Sequence, residues 1–321
     1  MTDLLGGFGT ELSKNLADKW VSLLALPGAL YLMVFAAGRA LGHSHALDVP
    51  LLIRHITAWA HDPAVTTAGG QVVLLAAVFA ASVATGLSAR AVGAAIERVA
   101  LATNWRLWPR SARALARRRT RHRRNRWDEA HREYSIRWKE AARAQALKRP
   151  HDPGPRQAAL HTRTAISAER PDRPTWSGDR MHAVAVRLRR DHRLDLAQLW
   201  PHMWLMLGEE ARNEITAART AIARATELGA WAALYALLAF VWWPAGIVGL
   251  LLGTTACRRT RSTTDCYAQL VEAAVRLNIR ELAQRLGIDH TEPLSPDAGE
   301  RFSELLGSAP PIVPDARSES G

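Results

Sequence analysis

The stretch from Leu228 to Cys257 constrains this chain more than any other, because none of its residues is charged. Its roughly 30 residues would form a straight helix about 45 Å long, whereas the apolar core of a bilayer is about 30 Å thick. Pro244 lies near the middle and cannot donate an amide hydrogen bond to the preceding turn. The adjacent Trp242 and Trp243 are typical of a membrane–water interface. We predict a transmembrane helical hairpin with its tip at Pro244; a single kinked, tilted helix is the alternative interpretation.

Two earlier segments have the length and apolarity of single spans. Residues 20–38 carry no charge, and residues 72–96 open with a run rich in alanine and valine, so each is predicted to form a transmembrane helix. A cleaved signal peptide is the alternative interpretation of the first segment. The preceding residues 1–19 include acidic residues and apolar positions at helical spacing, which favour an uncleaved amphipathic helix on the membrane surface.

The net charge of +12 lies outside the apolar segments. Residues 97–227 contain many more basic than acidic residues, whereas the loop 39–71 has few positive charges. Cytoplasmic loops of membrane proteins carry the excess of Lys and Arg. This rule places residues 97–227 inside the cell and the loop 39–71 outside. Four spans then put both termini in the cytoplasm, whereas three spans would put a basic cluster outside the cell: Arg258, Arg259 and Arg261.

The patterns predict an all-α protein of the plasma membrane, with a four-span transmembrane helical bundle joined to a basic helical cytoplasmic module. A stretch rich in proline within the module is typical of a linker, and the polar C-terminal end is typical of disorder. The predicted segments are an amphipathic segment at 1–19, span 1 at 20–38, an outer loop at 39–71, span 2 at 72–96, a basic cytoplasmic helix at 97–149, a Pro-rich linker at 150–176, cytoplasmic helices at 177–227, the hairpin of spans 3 and 4 at 228–257, C-terminal cytoplasmic helices at 258–307 and a disordered tail at 308–321.

The sequence from Arg110 to Lys148 contains neither Gly nor Pro and predicts one long helix. Cations just inside a membrane are attracted to anionic lipid headgroups. The candidate lipid contacts are Arg117, Arg118, Arg119, Arg121, Arg123, Arg124 and Arg126. Nucleic acid is the less favoured partner, although phosphate contacts also require only cations. Trp127, Tyr134 and Trp138 share one face of this helix and are expected to pack against a neighbouring helix.

Patterns that signal catalysis or cofactor binding do not occur in the sequence. It contains no P-loop, G-x-S-x-G or C-x-x-C motif, so we predict a non-enzymatic protein without a cofactor. The outer loop holds several histidines, but their spacing matches no metal-binding motif, and solvated loop residues explain them. Residues 279–289 resemble the first half of a helix-turn-helix without its second helix, and an ordinary amphipathic helix explains them better.

Two motifs in the C-terminal half resemble a family of membrane proteins. Pro174–Met181 reads PTWSGDRM, and Arg193–Trp204 reads RLDLAQLWPHMW. With the W-W-P sequence at Trp242 and the segment Tyr267–Val275, they are similar to uncharacterised multi-pass membrane proteins of actinobacteria. Departures from that family's pattern occur at Trp176, Arg193 and His202. The resemblance implies an all-helical, four-span membrane protein and transfers no catalytic residue.

Within these motifs we expect a helix to begin at Ser177, which is a favoured type of capping residue. Asp195 is expected to cap a following short helix that is interrupted at Trp200 and Pro201. The candidate structural or docking motif consists of Asp195, Trp200, Pro201 and Trp204. We expect both tryptophans to be mostly buried, with Pro201 marking a bend, because such a patch left exposed would favour association. A docking surface for a partner is the alternative interpretation.

The leading functional hypothesis is a non-enzymatic scaffold or interaction protein that presents a basic helical module at the inner membrane face. Its expected partners are membrane lipids with anionic headgroups, and a protein partner or a second copy of the chain also stays open. One alternative is an oligomeric channel or membrane-perturbing effector, because four spans without a polar lining form no pore alone. The other alternative is a membrane-tethered nucleic-acid-binding regulator.

Overall fold

A computed structural model describes residues 26–61 and 63–285, without the side chains of residues 63 and 64. Every regular element in this part of the chain is helical, which confirms the all-α fold class. In chain order the helices are α1 (Leu26–Leu41), α2 (Val49–Ala60), α3 (Pro63–Thr66), α4 (Ala68–Ala100), a 3-10 turn (Trp105–Leu107), α5 (Arg110–Ala146), α6 (Gly154–Ile166), α7 (Trp176–His192), α8 (Leu196–Met206), α9 (Glu209–Leu238) and α10 (Trp243–Arg285).

The described residues divide into two compact units. Unit 1 contains the residues up to Glu97 together with Ala223–Thr260, and unit 2 contains Arg98–Ile222 together with the residues from Arg261 onward. Several predictions fall outside the described residues. They concern the amphipathic segment 1–19, the beginning of span 1, the end of segment 258–307 and the tail 308–321.

The uncharged stretch forms a helical hairpin within unit 1. Residues 239–242 connect α9 to α10. A Cβ atom on Gly249 would lie 2.9 Å from the Ala236 amide nitrogen. Four residues later, a Cβ atom on Gly253 would lie 3.7 Å from the Cβ atom of Ala232. The contact positions advance along one arm and recede along the other, so the arms run antiparallel and the single-helix interpretation is wrong.

The tip of this hairpin lies slightly earlier in the chain than predicted. Residues 239–242 make the turn, whereas Pro244 is the second residue of α10. Proline is well tolerated in the first turn of a helix, because the amide hydrogen that it lacks would have no helical partner there. Pro244 therefore begins the second arm and does not form the turn.

Small residues bring the helices of unit 1 into close contact. A Cβ atom on Gly28 of α1 would collide with the carbonyl oxygen of Ser82 in α4. A Cβ atom on Gly38 would lie 2.8 Å from the Cβ atom of Trp242. Close approach at small residues is typical of helices that associate within lipid, where van der Waals contact is a main source of attraction.

Helix α4 covers the predicted span 72–96 and extends beyond it at both ends. It is the one described helix that is long and apolar enough to cross a membrane. Only 17% of its most apolar 18-residue segment is buried. Large side chains such as those of Val72, Leu75 and Phe79 are exposed. The core helix of a soluble protein would bury such a surface, whereas α4 leaves most of it exposed.

The predicted outer loop contains the short helix α2. The Asp48 side chain accepts a hydrogen bond from the Leu51 backbone N–H at 2.9 Å and thereby caps the helix. Apolar side chains at Ile53, Ile56 and Trp59 are exposed. The predicted outer loop therefore contains a capped helix with exposed apolar side chains.

Unit 2 contains the arginine-rich helix α5, which ends two residues before the predicted Lys148. Helix α6 packs against it. The Trp127 indole N–H donates to the Ser167 carbonyl oxygen at 3.0 Å, and the Arg163 guanidinium lies 4.6 Å from the centre of the Tyr134 ring. Trp127 and Tyr134 thus pack against a neighbouring helix as expected, whereas Trp138 on the same stripe is exposed.

The prediction of a linker over residues 150–176 is wrong for Gly154–Ile166, which form α6. The Asp152 side chain accepts a hydrogen bond from the Gly154 backbone N–H at 2.8 Å. Pro153 and Pro155 flank the start of the helix, where proline loses no helical hydrogen bond. These two prolines therefore mark the N-terminus of a helix and not a linker.

Helices α7, α8 and α10 enclose the apolar core of unit 2. Its buried side chains include Val184, Leu188, Leu194, Leu199, Met203, Val271, Val275 and Leu282. Ion pairs join α7 to α10 at a constant offset of 85 residues, so the two helices run parallel. The pairs are Arg180 with Asp265, Arg187 with Glu272, and Asp191 with Arg276. Helix α10 reaches this core without a break after the hairpin, where separate helices were predicted.

Helix boundaries in unit 2 differ from the sequence predictions at two points. Thr175, not Ser177, caps α7, because the Thr175 hydroxyl accepts the Gly178 backbone N–H at 3.2 Å. Asp195 caps α8 as predicted. Helix α8 is not interrupted at Pro201, which lies inside it. The core contacts of α8 outweigh the lost hydrogen bond at this proline.

Candidate functional site

Asp179 of the first motif is a buried carboxylate, with only 3% of its side chain exposed. Its Oδ1 atom accepts the backbone N–H groups of Asp172 at 2.9 Å and Arg173 at 2.7 Å. Its Oδ2 atom accepts a hydrogen bond from Arg123 Nη2 at 2.7 Å. Asp179 also lies in the first turn of α7, where the helix dipole favours a negative charge. This carboxylate joins α5, α7 and the loop before α7 at one point.

Two of the predicted lipid contacts help to build this polar centre. Arg123, with 15% of its side chain exposed, pairs with Asp179 and donates to the Ile166 carbonyl oxygen at 3.0 Å. Arg124 pairs with Asp172, and its Nε donates to the Pro171 carbonyl oxygen at 2.6 Å. Both guanidinium groups are occupied inside unit 2, which removes Arg123 and Arg124 from the candidate lipid contacts.

Desolvation is the main electrostatic effect on the central ion pair. Burial raises the pKa of Asp179, and burial lowers the pKa of Arg123, while the attraction between the two groups opposes both shifts. A buried pair of this kind contributes little net stability but is strongly destabilising when one partner is removed. We therefore expect the pair to hold the loop and two helices in one arrangement.

Gly178 allows α7 to approach the turn that follows α4. A Cβ atom on Gly178 would lie 2.8 Å from the Leu101 carbonyl oxygen and 2.7 Å from Thr175 Oγ1. Arg173 Nη1 donates to the Ala102 carbonyl oxygen at 3.2 Å, and Ala102 has a left-handed φ of 48°. The first motif is thus a structural clamp, since its glycine, capping threonine and carboxylate all hold backbone segments together.

The remaining predicted lipid contacts lie on the outer side of α5 and form what we call the basic face. Its members, all exposed, are Arg117, Arg118, Arg119, Arg121 and Arg126. No ion pair to any of them occurs in the part of the chain that the structure describes. Residues 110–127 contain no Asp or Glu, so this part of α5 does not neutralise its own positive potential.

An apolar groove of about 530 Å³ lies beside the basic face, within unit 2. It is formed by the last turn of α4, the start of α5 and the first motif. Its lining residues are Val99, Trp108, Pro109, Ala112, Leu115, Ala116, Arg119, Pro174 and Thr175. Arg119 is the one charged residue of this lining. A groove that is apolar along its length and cationic at one point suits an amphiphile with an anionic group.

The predicted docking motif lies at a second groove of about 370 Å³, which Pro201 also lines. Trp200 and Trp204 line this groove, with ring centres 6.0 Å apart. The expectation that both are mostly buried is wrong, because Leu199 and Met203 occupy the core side of α8 and leave the tryptophans half-buried. The motif therefore combines a helix cap, core contacts and a partly open aromatic surface.

The outer-loop histidines contact backbone groups of unit 1. His43 Nδ1 lies 2.7 Å from the Val241 carbonyl oxygen, and His55 Nδ1 lies 3.0 Å from the Leu51 carbonyl oxygen. In residues 26–61 and 63–285, no cluster of three or more His, Cys, Asp or Glu side chains could hold a metal ion. The His43 contact ties the loop to the tip of the hairpin.

No protein-family model, curated protein or solved structure matches this chain. The resemblance to actinobacterial membrane proteins therefore rests on its motif residues alone. The function has to be inferred from the basic face, the grooves and the apolar helices.

Sequence reasoning missed the two features that shape this region. Asp179 is one acidic residue among many, and its only signal is its place in a motif. The groove is assembled from Val99, residues 108–119 and Pro174–Thr175. No local pattern links three segments so far apart in the chain, so folding alone brings them together.

Proposed function

We propose that this protein is a non-enzymatic, multi-pass membrane protein that presents its basic helical module to anionic lipid headgroups at the inner membrane face. The observation that carries the proposal is the basic face, whose arginines are exposed and have no acidic partner in the described residues. An anionic surface attracts each nearby cation by about 1 kcal/mol. Five such arginines could contribute up to roughly 5 kcal/mol to attachment.

The arrangement of unit 1 supports four membrane crossings, made by α1, α4 and the two arms of the hairpin. The Trp242 indole N–H donates to the Ala46 carbonyl oxygen at 2.9 Å. The hairpin tip and the predicted outer loop therefore meet at the same end of unit 1, as a four-span topology requires. Arg90 and Glu227 form an ion pair further along α4, away from the tip. Charges at that end are consistent with the inner membrane surface.

The hairpin arms are shorter than an ordinary span. From Glu227 to Leu238 the first arm rises only about 17 Å, compared with a bilayer core of about 30 Å. Thinning of the bilayer or extension of charged side chains toward the headgroups accommodates such a mismatch. Arg90 Nε lies 3.7 Å from Glu227 Oε1, so the charge nearest the arm is paired.

A lipid surface is favoured over nucleic acid because of chain continuity. Only residues 101–109 separate α4, the helix with the length and composition of a span, from the arginine-rich α5. If α4 crosses the membrane, α5 begins within a few residues of the headgroups. The attraction to the adjacent surface then acts at all times, whereas nucleic acid would have to be recruited.

Thiol labelling in cells tests the inner-face placement of unit 2. The native Cys266 is exposed, and a membrane-impermeant maleimide should label it only after the membrane is permeabilised. Ser44→Cys, in a chain with Cys257→Ser and Cys266→Ser, should be labelled in intact cells because Ser44 lies in the outer loop. Labelling of Cys266 from outside would overturn the proposed topology.

A further inference from the structure

The apolar groove has the size and the lining of a site for one lipid chain. Its volume of about 530 Å³ falls within the range of about 300–1,000 Å³ that is usual for ligand pockets. Apart from Arg119 and the Thr175 hydroxyl, the lining side chains are apolar. Val99 and Leu115 both line the groove and are 52% and 69% exposed. A soluble protein seldom leaves such apolar side chains together in water unless a ligand or membrane covers them.

Two observations indicate what covers this groove. Trp105 and Trp108 lie in the turn between α4 and α5, and tryptophan is enriched at membrane–water interfaces. Arg119 lines the groove and also belongs to the basic face, so the groove opens toward uncompensated positive charge. An occupant that matches both properties has an apolar chain and a negatively charged headgroup.

We propose that this groove binds one acyl chain of an anionic phospholipid, whose phosphate is contacted by Arg119. The inference rests on the proposed function, because Val99 is in the last turn of α4 and the groove reaches the bilayer surface only if α4 crosses the membrane. It adds a defined site to what would otherwise be diffuse attraction. A lipid held in this way would be retained when the surrounding bilayer is removed, whereas loosely attracted lipids would be lost.

Native mass spectrometry of the full-length protein tests the site. The protein is purified in detergent, exposed to equal amounts of phosphatidylglycerol and phosphatidylcholine, and analysed for retained lipid. Wild-type protein should retain phosphatidylglycerol in preference. Ala112→Trp should abolish this retention, because Ala112 lines the groove and the indole would fill it. Ala114→Trp is the matched control, since Ala114 lies on the exposed side of the same helix and does not line the groove.

The headgroup contact is tested by a second pair of variants. Arg119→Gln should lower the ratio of retained phosphatidylglycerol to phosphatidylcholine about tenfold, as expected for the loss of one charge-assisted hydrogen bond. Arg118→Gln removes the same charge from the basic face without touching the groove and should leave the ratio within about twofold. Equal losses in both variants would overturn the assignment of Arg119 and indicate a general charge effect.

Photolabelling gives a readout that does not depend on a variant folding. Phosphatidylglycerol with a photoreactive acyl chain should label wild-type protein within residues 99–119. Labelling confined to the residues of α4 before Val99, or to the hairpin, would overturn the proposal. Unchanged lipid retention in Ala112→Trp would also overturn it. If Cys266 is accessible only from inside but these results are negative, the groove site alone fails. If Cys266 is accessible from outside, the proposed function fails as well.

Discussion

Asp179→Ala is predicted to destabilise unit 2 severely. The substitution removes the acceptor of two backbone N–H groups and of Arg123 Nη2. Arg123 would keep only its bond to the Ile166 carbonyl oxygen while its side chain stays buried. Removing one partner of a buried ion pair typically costs about 3–5 kcal/mol. Because a folded domain is stable by only about 5–15 kcal/mol, much of the stability of unit 2 would be lost.

The matched control is Asp128→Ala. Asp128 pairs with Arg170 through two hydrogen bonds, at 3.0 and 2.8 Å, but the pair is exposed. Exposed ion pairs contribute only about 0.2–1 kcal/mol. Both substitutions remove a carboxylate from an arginine partner. Asp179 is also buried and accepts two backbone N–H groups, so the difference between the two losses measures burial of the charge together with those two hydrogen bonds.

Thermal and denaturant unfolding of the full-length protein in detergent, followed by circular dichroism, measures both substitutions. The double variant Arg123→Met, Asp179→Leu should recover a large part of the loss, because no unpaired charge then stays buried. If Asp179→Ala costs no more than Asp128→Ala, the polar centre does not hold unit 2 together and the reasoning is refuted.

Three further substitutions test other parts of the fold. Gly249→Val should disrupt the hairpin and reduce the amount of folded protein in the membrane, because its Cβ would press on the Ala236 amide; wild-type expression would contradict this packing. Burial lowers the pKa of His182 below its usual 6.5, and the positive charge of Arg173 lowers it further. As the pH falls, His182 therefore binds a proton in the unfolded chain before it does so in the folded protein, and stability should fall below about pH 6.5. His182→Asn should weaken this pH dependence in melting curves. Trp200→Ala should cost less than the about 3–5 kcal/mol of a fully buried tryptophan, and a larger loss in the same melting assay would contradict its half-buried position.

Much of the fold follows from local signals in the sequence. Uncharged runs locate the hairpin and α4, the absence of Gly and Pro locates α5, and Asp195 identifies the start of α8. Each signal depends on residues within one or two turns of chain, where propensity and capping act. The errors at Ser177 and Pro244 are small displacements, because nearby residues compete for the same capping or turn position.

The errors about function have a different cause. Arg123 and Arg124 stand in an arginine run where every member has the same local environment in the sequence. Only tertiary structure brings Asp179 and Asp172 to two of these arginines. The groove likewise requires segments that are far apart in the chain. One long-range signal was present, since Arg180 and Arg187 share the seven-residue spacing of Asp265 and Glu272, which would predict paired faces on two helices.

The most direct test of the account is the water accessibility of the basic face in a bilayer. A nitroxide at Asn125→Cys, in a chain with both native cysteines changed to Ser, reports on this face, because Asn125 is exposed on α5. A label at Ala142→Cys, further along α5, serves as the control. In nanodiscs of anionic lipid the label at position 125 should be less accessible to a water-soluble relaxation agent than in neutral nanodiscs, and high salt should remove the difference by screening. Equal accessibility at position 125 in both lipids would contradict the attachment of the basic face to an anionic membrane surface.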